Sequence, residues 1–161
     1  MFEFINQNSA VIAIPGLLVA MFALLPIKSW RRRIPLYSGV AIAGIVAILV
    51  LQPGDSTVAS DSEARSLIVS GKPVFVEFFS NTCAACLVSE PIVRSLEEEA
   101  SDEVLFLKLD VRDSIASQLV RDYRAFVTPT FLVIGRDGEV IWRQAGGLLK
   151  KSAALEALDS A

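Results

Sequence analysis

The chain has 161 residues, 53% of them hydrophobic, with a mean hydropathy of +0.52 and a formal net charge of −3. So apolar a composition excludes an ordinary soluble domain as the whole account, and the length allows one domain plus extra segments. The acidic balance, with no basic patch in the cysteine-bearing part, argues against nucleic acid as a partner.

The apolar excess lies at the N-terminus. Residues 10–27 and 34–51 are uninterrupted by charge, each at the lower end of the length that crosses a bilayer. Between them stands Lys28-Ser29-Trp30-Arg31-Arg32-Arg33. The pattern predicts a transmembrane helical hairpin over residues 1–51 with a short basic turn, and membrane lipid as a partner. Trp30 and Tyr37 fall where aromatic rings favour the headgroup region. Residues 1–8 carry no Lys or Arg, and none follows Leu51 until Arg65. The positive-inside rule therefore puts the turn in the cytoplasm and both chain ends on the opposite face. Two other readings stay open. A signal peptide over residues 1–27 would lack a basic n-region and leave the second run as an anchor. Pro15-Gly16 and Pro26 would also suit a re-entrant or interfacial first segment. Gly39, Ala43 and Ala47 recur every four residues along the second span, and are expected to pack on the first.

Residues 52–59 (QPGDSTVA) combine turn formers and small polar residues without an apolar period, and read as a tether. A domain over residues 60–161 follows. Ser60 and Glu63 have capping-box spacing, and Ala64, Leu67 and Ile68 share a helical face that Gly71 ends. Val74–Phe79 reads as a buried strand, broken by Ser80-Asn81-Thr82. Helical patterns over 87–100, 114–124 and 150–158 alternate with strand patterns over 104–109, 131–134 and 140–142. Arg136-Asp137-Gly138 marks a hairpin turn between the last two. This order predicts an α/β domain, a mixed sheet with helices on both faces, after the hairpin. There are no internal repeats and no glycine-rich phosphate loop.

Cys83 and Cys86 are the only cysteines, and they fall at a strand-to-helix turn. Their disulfide would close a tiny loop and stabilise the fold little. Zinc would need more ligands than one Cys pair in a chain without His, and c-type haem attachment needs His where Leu87 stands. No metal and no cofactor are expected; the pattern points to reversible dithiol chemistry. At a helix N-terminus the exposed Cys83 thiolate would be stabilised and act as nucleophile. Cys86, one turn further in, would resolve the mixed disulfide. Alternation places Phe75, Glu77 and Phe79 on one sheet face and Val74, Val76 and Phe78 on the other. With both faces covered, Glu77 is a buried carboxylate with a raised pKa, the candidate proton acceptor for Cys86. An exposed glutamate on an edge strand is the alternative. Pro129, from the local dipeptide alone, is an ordinary turn proline.

From about Gly71 onward the chain resembles the thioredoxin family. The resemblance rests on the Cys-Ala-Ala-Cys motif, Glu77 six residues before it, Pro91 in the following helix, Thr128-Pro129-Thr130, Gly135–Glu139 and Gly146. It implies a thioredoxin-like fold and a cis Pro129, whose loop, with Thr128 and Thr82, meets the substrate. It also implies that Lys108 on the neighbouring strand partners Glu77. The sequence departs from the usual pattern in Thr82 for Trp, Ala84-Ala85 for Gly-Pro, Glu77 for Asp and Phe79 for Trp. Anchored members of the family in bacteria and thylakoids imply a plasma-membrane or thylakoid protein with its domain outside the cytoplasm. It would reduce disulfides of extracytoplasmic proteins, as in cytochrome c maturation, with electrons from a membrane thiol transporter. A disulfide-forming oxidase, or a structural or assembly subunit docking through the domain, remains the alternative.

Overall fold

The structure, a computed structural model, describes residues 2–24, 30–100 and 102–161. Three helices precede the sheet: α1 (Phe2–Gln7), α2 (Ser9–Leu24) and α3 (Trp30–Leu51). Lys28 of the expected basic turn lies outside the described residues. Residues 34–51 of α3 form a helix long and apolar enough to cross a membrane; α2, which continues through Pro15, is shorter. The two helices pack together at Gly44, where a side-chain carbon would come within 3.1 Å of Ile14 Cδ1. The expected stripe of Gly39, Ala43 and Ala47 is instead exposed. Each residue turns a helix by about 100°, so the covered face of α3 is a different one, running through Tyr37, Val40, Ala41, Gly44 and Ile48, which are half-buried.

Residues 52–59, expected as a tether, lie along the domain. Thr57 donates its N–H to Lys108 O (2.9 Å) and accepts from Lys108 N–H at its hydroxyl (3.0 Å), and Ser56 Oγ accepts from Asp110 N–H (3.0 Å). Gly54 and the Asn81 carboxamide exchange two hydrogen bonds. These contacts cover a strand edge whose main-chain groups would otherwise be unpaired.

Helix α4 (Asp61–Ile68) begins at the expected cap. Ser60 Oγ accepts from Glu63 N–H at 3.2 Å, while Glu63 Oε2 reaches back to Ala59 N–H at 2.8 Å. Strand β1 (Val74–Phe79) is buried at all six positions. It is followed by α5 (Ala84–Ala100), β2 (Leu105–Asp110), a 3-10 turn (Ser114–Ala116), α6 (Ser117–Asp122), β3 (Thr130–Ile134), β4 (Val140–Ala145) and α7 (Lys151–Asp159). The sheet order is β2-β1-β3-β4, with β1 parallel to β2 and antiparallel to β3, and β3 antiparallel to β4.

Alternation along β1 divides the core as expected. Val74, Val76 and Phe78 pack with Ala64, Ile68 and Leu119 from α4 and α6. Phe75 packs on the other face with Val93, Leu96, Ala154 and Leu158 from α5 and α7. Each fully buried apolar side chain contributes about 1.5–3 kcal/mol. The mixed sheet with helices on both faces is therefore present. Boundaries shift by more than one residue in three places. Helix α5 begins at Ala84 rather than Leu87, the expected helix over 114–124 is a 3-10 turn plus the short α6, and β4 extends to Ala145. In the β3–β4 turn Gly138 has φ +83°, a conformation that suits glycine.

Candidate active site

The site begins where β1 ends. Ser80-Asn81-Thr82 turns the chain at the end of this inner strand, Cys83 immediately precedes α5, and Cys86 lies in its first turn. Neither cysteine is disulfide-bonded. Cys86 N–H donates to Cys83 Sγ at 3.3 Å, so an unpaired donor at the helix start points at the sulfur. The Cys83 thiol is lowered to about 6, first by the hydrogen bond from Cys86, then by Thr128 and the N–H groups of Cys86 and Ala85, against opposing burial. Burial pushes the Cys86 thiol far up, and its hydrogen bond to Cys83 and the charge there push it further. One sulfur is poised as a thiolate; the other holds its proton.

Cys83 was expected to be exposed. It is buried (0%), because the N-terminal segment lies across it. Asn6 accepts at Oδ1 from Thr128 N–H (2.7 Å) and Thr128 Oγ1 (2.9 Å), and donates from Nδ2 to Thr128 O (3.0 Å). Gln7 O accepts from Ser80 Oγ and Thr82 Oγ1, both at 2.9 Å. Ala10 N–H donates to Thr82 O at 2.9 Å, and Ser9 Oγ accepts the N–H of Ala84, also at 2.9 Å. The polar run Asn6-Gln7-Asn8-Ser9 ahead of an apolar helix was the available signal, but it names no partner.

The Thr128–Pro129 peptide is cis, and the Cys83 thiol lies 3.4 Å from Thr128 O. Gly146 secures this loop. At φ +76° it donates its N–H to Pro129 O at 2.7 Å. The structure thus brings Thr82, Thr128 and Pro129 to the rim of the cysteine pair.

Glu77 lies beneath, fully buried on a central strand, which rules out the exposed edge-strand reading. Burial raises its pKa to about 8; Lys108 opposes this, while Glu90, Cys83 and Glu97 add to it. Its charge in turn raises Cys86. Lys108 is opposite Glu77 in register, yet its hydrogen bonds go elsewhere. Its Nζ donates to Glu90 Oε1 (2.8 Å) and Oε2 (2.9 Å), and stands 4.0 Å from Glu77 Oε2. Lys108 thus stands at ion-pair distance from Glu77, as expected, while its hydrogen bonds go to Glu90. Glu90 sits one residue before Pro91 on α5, and its approach to β2 depends on how the helix packs. Among the described residues, no cluster of His, Cys, Asp and Glu is placed to hold a metal.

A low-pKa thiolate at a helix start, a protonated thiol one turn in and a buried carboxyl group define a dithiol–disulfide oxidoreductase of thioredoxin-like fold. The Thioredoxin family model matches residues 55–159, and the chain belongs to the thioredoxin family. It is 29% identical over 103 residues to a thioredoxin of Mycolicibacterium smegmatis, covering 64% of this chain and 91% of that protein. It is 27% identical over 130 residues to the chloroplastic thioredoxin-like protein HCF164 of Oryza sativa subsp. japonica, covering 78% of this chain but 50% of that protein. Among solved structures, Fasciola hepatica thioredoxin superposes with a TM-score of 0.53 at 27% identity, covering 63% of this chain and 94% of that one. The chain is accordingly a thiol-disulfide oxidoreductase.

Proposed function

We propose that this oxidoreductase is tethered to a plasma or thylakoid membrane and reduces disulfides of proteins outside the cytoplasm. The observation that carries the direction is the Ala84-Ala85 pair between the cysteines, which adds no charge or imidazole of the kind that stabilises the reduced form of a strong oxidant. The lowering of the Cys83 thiol comes first from its hydrogen bond with Cys86.

In the reaction, the Cys83 thiolate attacks one sulfur of a partner disulfide. A mixed disulfide forms and the other partner sulfur leaves as thiolate. Cys86 gives its proton to ionised Glu77 and attacks Cys83 Sγ, releasing the second partner thiolate. Two electrons pass to the partner, and the domain keeps a Cys83–Cys86 disulfide. A dithiol donor, such as a membrane thiol transporter, restores the dithiol by the reverse steps. Protonated Glu77 then supplies the proton to the departing Cys86 sulfur.

Tethering is supported by the apolar helix over 34–51. Arg31–Arg33 at its start favour a cytoplasmic N-terminal end, which leaves the Leu51 end and the domain outside. The bonds from Asn6 to Thr128 fit an N-terminus on the same side as the domain.

The test is the reduction potential of the full chain in detergent micelles, equilibrated against dithiothreitol or glutathione buffers. A value near about −270 mV supports the reductase, and one near about −120 mV makes it an oxidase. If no reversible Cys83–Cys86 couple appears, the redox role fails and a docking subunit takes its place.

A further inference from the structure

We propose that Glu90 is a positioning residue for proton transfer: by holding Lys108, it leaves Glu77 without a hydrogen-bonded counter-charge. The inference rests on reading Glu77 as the group that exchanges a proton with Cys86. An ammonium has three donors. Those of Lys108 meet both oxygens of Glu90 and Pro53 O (3.3 Å). Glu90 is itself buried and also accepts from Arg94 Nε at 2.8 Å, so the clamp is held from two sides. Among the described residues, neither oxygen of Glu77 has a hydrogen-bond partner. The groups acting on Glu77 are Lys108 from β2, Glu90 and Glu97 from α5, and the two cysteines; its β3 neighbour Phe131 is apolar. Buried beside an already neutralised ion pair, Glu77 holds its proton more tightly than a free carboxyl, so that near neutrality its ionised form can take a proton from Cys86 and its protonated form return one. A Lys108 turned towards it would release that proton.

The experiment is the pH profile of disulfide exchange by the full chain in detergent. Glu90→Gln removes a neighbouring negative charge and frees Lys108, and both changes favour ionised Glu77. The inflection set by Glu77 should move down by about one pH unit or more, while Glu90→Asp keeps it near the wild-type position. Glu90→Met is the second variant if the amide does not fold. An unmoved inflection in folded Glu90→Gln or Glu90→Met overturns the positioning role. An inflection that persists in Glu77→Gln instead overturns the reading of Glu77 itself.

A separate set of contacts carries a second inference: the structure assigns residues 6–10 as an internal lid over the thiol site. The Asn6 carboxamide satisfies both main-chain polar groups of Thr128, as a peptide unit of an extended segment would. Gln7, Ser9 and Ala10 bond to Ser80, Thr82 and Ala84 on the opposite side of Cys83. With both rims bridged and Cys83 at 0% exposure, a protein disulfide reaches the sulfur only after this segment moves. Exchange therefore includes an opening step of α1 and the start of α2.

Asn6→Ala removes three hydrogen bonds from the closed state. In the full chain in detergent it should speed both alkylation of Cys83 by iodoacetamide and reduction of insulin by at least about tenfold. Ser9→Ala should do so to a smaller extent. Wild-type rates in both variants, with unchanged thermal unfolding, overturn the lid. Absence of exchange in the wild type and both variants would overturn the oxidoreductase reading instead.

Discussion

Cys83 and Cys86 have the same side chain and opposite proton affinities, because one receives hydrogen bonds at the start of α5 and the other is buried one turn in. Alkylation of Cys83 should therefore rise with pH around about 6, followed by mass spectrometry of the labelled peptide. Cys83→Ser should abolish exchange. Cys86→Ser should instead accumulate a mixed disulfide with insulin on a non-reducing gel, since nothing remains to resolve it. Glu77 makes a stability prediction of definite sign. Its folded pKa of about 8 lies above the ordinary 4.5, so between those values the folded state binds more protons than the unfolded one. Stability should fall as pH rises through that window, by a few kcal/mol at most on the order-of-magnitude scale of such shifts. Glu77→Gln should flatten the slope in denaturant titrations at several pH values. The cysteine pair and Glu77 were legible because spacing and strand alternation are local properties. Glu90 was not: it stands in a helix rich in glutamate, and only tertiary packing brings it to Lys108.

Among the elements, β1 and α5 were readable because an apolar run and a 3.6-residue period leave few alternatives. Helix α4 was readable down to its cap. Ser60→Ala should lower stability by about 1 kcal/mol, measured by urea unfolding. In the β3–β4 turn, Gly138→Ala should cost about 1–2 kcal/mol by the same measurement, because its φ of +83° crowds a Cβ. The end of β4 was missed because Arg143 and Gln144 carry no apolar signal; pairing with β3 makes them strand. The small-residue stripe of α3 was misassigned for a related reason. Spacing of four identifies a face, but only the position of α2 decides which face is covered.

At the level of the whole chain, the apolar span and the redox domain make one physical prediction together. If the N-terminal helices are an anchor, the full chain should stay with membranes during alkaline carbonate washing, and deleting residues 1–51 should release it to the supernatant. The family, the cysteine pair and an α/β sheet covered on both faces could be read from residue order, since periodicity, turn chemistry and motif spacing act over short stretches of chain. The hydrogen-bond partner of Lys108, the course of residues 52–59 and the burial of Cys83 beneath Asn6 could not. Those contacts join residues far apart in the chain, and their geometry exists only once the sheet, α5 and the N-terminal helices have packed.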